Sequence, residues 1–122
     1  MGEIKSYKDL LIWQNGITLA KMTYELCEKF PKDEVYGIQS QVKRSAVSIA
    51  SNIAEGWGRN YKQSFIHFLR IAKGSLFELE TQMIIAKELK FVSNKEVEEI
   101  FKLIIEESKM LNAFIKKIES TK

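Results

Sequence analysis

Apolar side chains recur at alternating steps of three and four residues in four stretches of the chain, which is the spacing of helices with one buried face. The pattern predicts helices over residues 7–29, 34–55, 61–89 and 94–119. The segments between them are short, so consecutive helices are expected to be antiparallel neighbours. The sequence therefore predicts an all-α fold, an antiparallel up-down four-helix bundle that forms a single domain over residues 1–122.

Local sequence marks three of the helix boundaries. Phe30-Pro31 ends the first helix, because proline cannot continue a helix. Gly56 is suited to the left-handed residue that terminates the second. Ser93, followed three residues later by Glu96, is the signature of a capping box and predicts the start of the fourth.

The second and third helices differ from ordinary surface helices. Small residues crowd the second helix between positions 45 and 54, which predicts a central helix that its neighbours approach closely. The third helix carries Phe68, Ile71, Phe77 and Ile84 outside its main apolar stripe. Apolar residues on a second side of a helix indicate further burial, and in a chain of this size they predict self-association.

Composition and terminal sequence favour a cytoplasmic protein. Cys27 is the single cysteine and lies on the apolar stripe of the first helix, where it is expected to be a small core residue. The N-terminus lacks the basic-then-apolar pattern of a signal peptide. No apolar run approaches the roughly 20 residues that span a bilayer, so no membrane association is expected.

The positive charge is concentrated in the middle of the chain. The whole chain carries a net charge of +3, but residues 35–77 contain six lysines and arginines and one acid, Glu55. Lys62, Arg70 and Lys73 fall on one side of the third helix, and Arg59, Lys43 and Arg44 are expected nearby. This basic stripe is either a nucleic-acid surface or an ordinary solvated face. The nucleic-acid-binding candidates are Arg59, Lys62, Arg70, Lys73 and Lys43.

Polar side chains form a second stripe along the second helix, ending in the segment SNIAEGWGR (residues 51–59). One interpretation makes Glu55, with Arg44 or Arg59, an acid–base or anion-binding set. The other, which we favour, is a hydrogen-bonded seam that fixes the register of packed helices. The residues assigned to this structural seam are Arg44, Ser48, Asn52, Glu55 and Ser75.

The sequence offers little for catalysis. His67 is the only histidine, and Ser64 stands where a di-iron Glu-x-x-His motif needs glutamate. Gly56-x-Gly58 follows a predicted helix, whereas dinucleotide-binding glycines follow a strand. We therefore expect no enzyme activity, no metal and no cofactor. Trp57 and Tyr61, at the edge of the basic stripe, either stack on bases or anchor the corner between helices.

Several consecutive motifs resemble one known family. They are YKDL at residues 7–10 with WQ at 13–14, FPKDEVYGI at 30–38, QVKRSAVSI at 41–49, SNIAEG at 51–56, GR at 58–59 and IAKGSLFELE at 71–80. In this order they resemble the proteins encoded within intervening sequences of bacterial 23S rRNA genes, also described as S23-like. The resemblance spans nearly the whole chain.

The resemblance implies a small four-helix bundle that assembles as a homopentamer. One related branch is the basic accessory protein of diversity-generating retroelements, which binds nucleic acid and a reverse transcriptase. Most relatives have no established activity. The chain departs from the expected pattern at Ser45, at Trp57 and at Lys90-Phe91, where a glycine-aromatic turn is expected.

These observations lead to one main hypothesis and two alternatives. The main hypothesis is a non-enzymatic, ring-forming four-helix bundle that binds RNA or DNA through its basic surface. The first alternative is a protein–protein interaction scaffold without intrinsic nucleic-acid affinity. The second is a hydrolase that acts on nucleic acid through His67 and Glu55, for which we expect no activity.

Overall fold

The computed structural model describes residues 3–121. Over this range the chain forms four α-helices and no strand: α1 (Leu11–Cys27), α2 (Ile38–Gly58), α3 (Lys62–Glu88) and α4 (Asn94–Glu119). Short 3₁₀ helices, Tyr7–Asp9 and Lys32–Glu34, precede α1 and α2. The predicted all-α fold with four helices is therefore confirmed. None of these helices combines the length and the hydropathy that a bilayer-spanning segment requires.

The four helices surround one hydrophobic core. Each helix packs on two others, α1 on α2 and α4, and α3 on α2 and α4. The contact of α2 with α3 is the most extensive, because small residues on α2 allow a close approach. Gly16 on α1 also allows a close approach to α2, since a Cβ atom there would lie 3.1 Å from the Cβ of Ala50. Cys27 is buried in the core, as predicted.

The first α-helix begins later than its apolar spacing suggests. Leu10 has extended backbone angles (φ −77°, ψ 127°) and separates the 3₁₀ helix from α1. The 3₁₀ helix has its own capping box, in which the Ser6 hydroxyl accepts from the Lys8 amide and the Asp9 carboxylate accepts from the Ser6 amide. This local capping favours a separate 3₁₀ helix over a single α-helix that would begin at residue 7.

The predicted role of Gly56 as a helix terminator is wrong. Helix α2 continues to Gly58, and the chain reverses at Asn60, which has φ 60°. Gly56 is buried inside the helix because α3 crosses over it: a Cβ atom at this position would lie 2.7 Å from the Cβ of Phe68 and 3.0 Å from the ring of Phe65. The glycine therefore permits close helix packing rather than a left-handed turn.

The turn between α3 and α4 combines a local capping signal with an unfavourable backbone conformation. The capping box that opens α4 is confirmed: the Ser93 hydroxyl accepts from the Glu96 amide at 3.1 Å, and the Glu96 carboxylate accepts from the Ser93 amide at 2.8 Å. Between α3 and α4 the left-handed position is occupied by Lys90, with φ 64°, where glycine would be less strained.

Candidate nucleic-acid interface

An open groove between α3 and α4 carries the densest basic cluster associated with the predicted stripe. Arg70 and Lys73 line it from α3, and Lys116 and Asn112 line it from α4. We call this feature the basic groove and define it by Arg70, Lys73 and Lys116. Three cationic side chains lining one concave surface are suited to contacting the phosphates of a nucleic acid.

The end of α4 contacts two of the predicted basic residues. The Arg70 guanidinium lies 2.5 Å from the Glu119 carboxylate, and the Lys62 ammonium donates to the backbone carbonyl of Thr121. Both partners of the Arg70 ion pair are about half exposed, so water screens their attraction. The three cations of the groove therefore outnumber the one carboxylate beside it, that of Glu119. Lys62 lies beyond the end of the groove.

The remaining predicted basic residues lie elsewhere. Arg59, which directly follows α2, pairs with Glu55 at 2.9 Å, and its guanidinium lies 5.1 Å from the centre of the Phe68 ring. Lys43 lies on the side of α2 that faces α1, with its ammonium 4.7 Å from the ring of Tyr24. In the structure Arg70 and Lys73 lie together with Lys116, whereas Arg59 and Lys43 contact other residues.

The aromatic residues near the corner between α2 and α3 have different environments. Trp57 packs edge-on against Phe65 with ring centres 6.0 Å apart, and Phe65 packs in the same way on Phe114. Trp57 therefore anchors the corner to the core. Tyr61 is 74% exposed and precedes Lys62 at the start of α3. Phe77, 44% exposed, lies one turn beyond Lys73.

The polar residues of α2 form a smaller seam than predicted. The Ser48 hydroxyl lies 2.9 Å from that of Ser75 on α3, and the Asn52 amide donates to the hydroxyl and the carbonyl of Ser48, both at 2.8 Å. Ser45, which sequence reasoning did not include, donates to the side chain of Gln82 at 2.9 Å. This seam joins α2 to α3 across their close contact.

Two residues assigned to the seam lie outside these cross-helix contacts. The Arg44 guanidinium donates to the Ser40 hydroxyl at 3.4 Å, and Glu55 is held by Arg59. Their partners belong to α2 or follow it directly, so neither residue links α2 to α3 through a hydrogen bond in the structure over residues 3–121. Helical spacing placed them on the same stripe, but the longer side chains turn toward partners one turn away along the chain.

The groups considered for catalysis are exposed and separate. His67 is exposed, and its ring packs edge-on against Phe68 with centres 5.4 Å apart. Glu55 is half exposed in its ion pair with Arg59. Across the described part of the chain, no three His, Cys, Asp or Glu side chains are grouped closely enough to hold a metal ion.

Sequence reasoning missed a buried acid, Glu107 on α4. Its side chain is fully buried, and neither carboxyl oxygen has a hydrogen-bond partner. Burial raises the pKa of Glu107 to about 8, an effect that the nearby Asn15 amide opposes and the charge of Glu106 reinforces. The Asn15 amide donates to the sulfur of Met110 at 3.4 Å. Glu107 occupies a core-facing position in the apolar spacing of α4. An acidic residue at such a position is the sequence signal that would have revealed the buried carboxyl group.

Two comparisons with known proteins agree with the fold. The sequence model of the 23S rRNA-intervening sequence protein family matches residues 8–113. A crystal structure of a protein of unknown function from the S23 ribosomal protein family, from Bacteroides thetaiotaomicron VPI-5482, superposes with a TM-score of 0.80 at 22% sequence identity. The superposition covers 87% of this chain and 99% of that one. Among curated proteins, none matches the chain significantly. The resemblance inferred from the motifs is confirmed, and the chain belongs to the 23S rRNA-intervening sequence protein family.

Proposed function

We propose that this protein is a non-enzymatic nucleic-acid-binding protein of the cytoplasm that contacts its ligand through the basic groove. The observation that carries the proposal is the position of Arg70, Lys73 and Lys116 on one open surface between α3 and α4. Neutralisation of phosphates by such a cluster releases counterions and provides affinity that does not depend on base sequence. The solved S23-family structure is of unknown function, so the proposal rests on the groove.

We further propose that the helices form an antiparallel up-down bundle and that several copies form a ring, which the family resemblance implies to be a homopentamer. Cross-helix partners support the antiparallel arrangement: Ser45 precedes Ser48 on α2, whereas its partner Gln82 follows Ser75 on α3. The start of α3 also contacts the end of α4 through Arg70 and Glu119.

Self-association is supported by the outer face of α3. Ile71 and Ile85 are 38% and 43% exposed and lie two heptads apart, hence on the same side of the helix. Gly74, between them, has nothing within 4 Å of the position of a Cβ atom, so no contact within the chain accounts for a glycine there. A mid-helix glycine costs about 1 kcal/mol relative to alanine, and close approach of a second copy would account for it. Light scattering coupled to size exclusion measures the number of copies directly.

The binding proposal is tested by fluorescence anisotropy with labelled RNA and DNA. The test variant is Arg70→Gln, Lys73→Gln, Lys116→Gln, which removes three charges from the groove. The matched control is Lys21→Gln, Lys32→Gln, Lys95→Gln, which removes three exposed charges elsewhere. We expect micromolar or tighter binding by the wild type and the control and a loss of binding in the groove variant. Equal affinity of all three proteins would contradict the proposal.

The alternative function, a protein–protein interaction scaffold, has its own support. Exposed apolar side chains occur on α3 and also beside a depression between the start of α1 and the end of α4, where Leu11 is more than half exposed. A scaffold of this kind would show no binding to nucleic acid, or binding indifferent to salt. The anisotropy experiment therefore separates the two functions.

A further inference from the structure

We propose that the outer face of α3 in one copy docks into an exposed depression between α1 and α2 of the next copy. This inference rests on the self-association proposed above and adds the surface that receives α3. We call the receiving surface the α1–α2 depression. It is lined by Tyr24 from α1, by two residues that precede α2 and by four residues of α2, in full Tyr24, Val35, Tyr36, Ser40, Lys43, Arg44 and Val47.

The α1–α2 depression combines exposed apolar side chains with positive charge. Four of its side chains are each at least 42% exposed, namely Tyr24, Val35, Tyr36 and Val47. Two more, Lys43 and Arg44, are cationic, and the lining residues include no acid. Apolar side chains that gather at one place on a surface mark an interaction site. This depression therefore suits a partner that presents apolar side chains together with an acidic one.

The outer face of α3 presents that combination. Ile71, Glu78 and Ile85 follow one another at intervals of seven residues and so lie along one line on the helix. The line is about 21 Å long from Ile71 to Ile85, at 1.5 Å per residue. Glu78 is exposed, and its carboxylate forms no ion pair within residues 3–121. Beside it, the open space at Gly74 leaves room for a second copy.

The two surfaces match in the order of their chemistry. On α3 the acid Glu78 lies between two isoleucines, and in the depression Lys43 and Arg44 lie along the chain between apolar residues on both sides. Docking would cover the apolar side chains and bring Glu78 to the two cations of the next copy. The apolar contact provides affinity, and the opposite charges fix the orientation. Because the two surfaces are different, the contact is head-to-tail, the type that can close into a ring.

Contacts within one chain leave these charges available. Arg44 and Glu78 line the same small cleft between α2 and α3 of a single chain, but over residues 3–121 they form no ion pair with each other. The Arg44 guanidinium donates only to the Ser40 hydroxyl, at 3.4 Å, and the Lys43 ammonium lies over the ring of Tyr24. A decisive experiment must therefore separate attraction between copies from attraction within a chain.

Two charge-reversal variants make this separation. Lys43→Glu, Arg44→Glu turns the depression acidic, and Glu78→Lys turns the outer face of α3 basic. Each variant alone brings like charges together, whereas a mixture pairs the acidic depression of one variant with the basic α3 of the other. The control Lys95→Glu, Lys109→Glu reverses two exposed charges elsewhere. Light scattering coupled to size exclusion gives the mass of each protein and of the mixture.

We expect the wild type and the control to assemble, each reversal variant to lose assembled mass, and the mixture of the two variants to regain it. Mixing restores only contacts between copies, so recovery would also show that both variants are folded. If the wild type assembles and the variants assemble equally well, or if mixing restores nothing, this inference is wrong and self-association occurs through another surface. If the wild type is a single chain in solution, self-association and this inference are both wrong.

Discussion

The carboxylate of Glu119, near the end of α4, contacts the guanidinium of Arg70 on α3 at 2.5 Å. Arg70 is also one of the three cations that define the basic groove. The same arginine therefore has an internal partner and a proposed external one. If a phosphate binds at the groove as we propose, it must share or displace the Glu119 contact, and we therefore expect Glu119 to lower the affinity of the groove.

The first prediction concerns this competition. Glu119→Gln removes the competing charge and should increase affinity for nucleic acid up to about fivefold, because exposed ion pairs of this kind are worth roughly 0.2–1 kcal/mol. Stability should change little for the same reason. Anisotropy titration measures the effect, and Glu88→Gln, an exposed substitution at the other end of α3, is the control. An unchanged or weaker affinity in Glu119→Gln would show that Arg70 does not contact the ligand.

The second prediction concerns Glu107 and pH. Its pKa is about 8 in the folded chain and near the ordinary 4.5 once unfolded, so the folded state binds more protons between these values. The contribution of Glu107 to stability is therefore largest below about pH 4.5 and is lost as pH rises toward 8, at roughly 1.4 kcal/mol per pH unit within this window. Glu107→Gln removes this dependence.

Chemical denaturation at several pH values between 5 and 8 tests this prediction. The difference in free energy of unfolding between the wild type and Glu107→Gln isolates the Glu107 contribution, because the other titrating groups are common to both proteins. The difference should grow steadily in favour of the variant as pH rises. A difference that stays constant with pH would mean that Glu107 is not buried in its neutral form.

The third prediction compares two glycines at the end of α2. Gly56→Ala places a methyl group 2.7 Å from the Cβ of Phe68 and should destabilise the fold by about 1–3 kcal/mol, as overpacking does. Gly58→Ala meets no atom within 4 Å and should be neutral or stabilise by up to about 1 kcal/mol. Thermal unfolding of the two variants checks the contrast. Equal effects would contradict the packing of α3 over Gly56.

The fourth prediction concerns the turn before α4. Lys90 has φ 64°, a conformation in which a side chain is strained, and Lys90→Gly should stabilise the protein by about 1 kcal/mol. Asn60, at φ 60°, should gain less from the same change, because asparagine tolerates the left-handed region. The unfolding free energies of the two variants provide the measurement. Destabilisation by Lys90→Gly would mean that the lysine side chain makes a contact worth more than the strain.

The helices were predictable from sequence because their apolar periodicity is local, and the bounds of α3 and α4 lie within a residue of the prediction. The role of Gly56 was not predictable from sequence, because glycine is suited both to a turn and to a close contact between helices. Which of the two applies depends on where Phe68 lies. Local propensity cannot distinguish between the two.

The candidate site was predictable only in part. Arg70 and Lys73 share a helix face, which spacing reveals. Lys116 joins them from a helix some forty residues later, outside the basic segment, and this requires knowing which sides of α3 and α4 meet. Lys43 and Arg59 share the charge of the segment but face other partners, Tyr24 and Glu55. The density of charge along the sequence therefore does not show which cations share a groove in the fold.

The most direct test of the basic groove is the salt dependence of binding to a single-stranded oligonucleotide. The logarithm of the association constant is measured against the logarithm of salt concentration for the wild type and for Arg70→Gln, Lys73→Gln, Lys116→Gln. Each phosphate contact to a single strand contributes about 0.7 to the slope, so loss of three contacts should reduce its magnitude by about 2. The same slope in both proteins would show that nucleic acid binds elsewhere, and absence of binding by the wild type would reject the groove as a nucleic-acid surface.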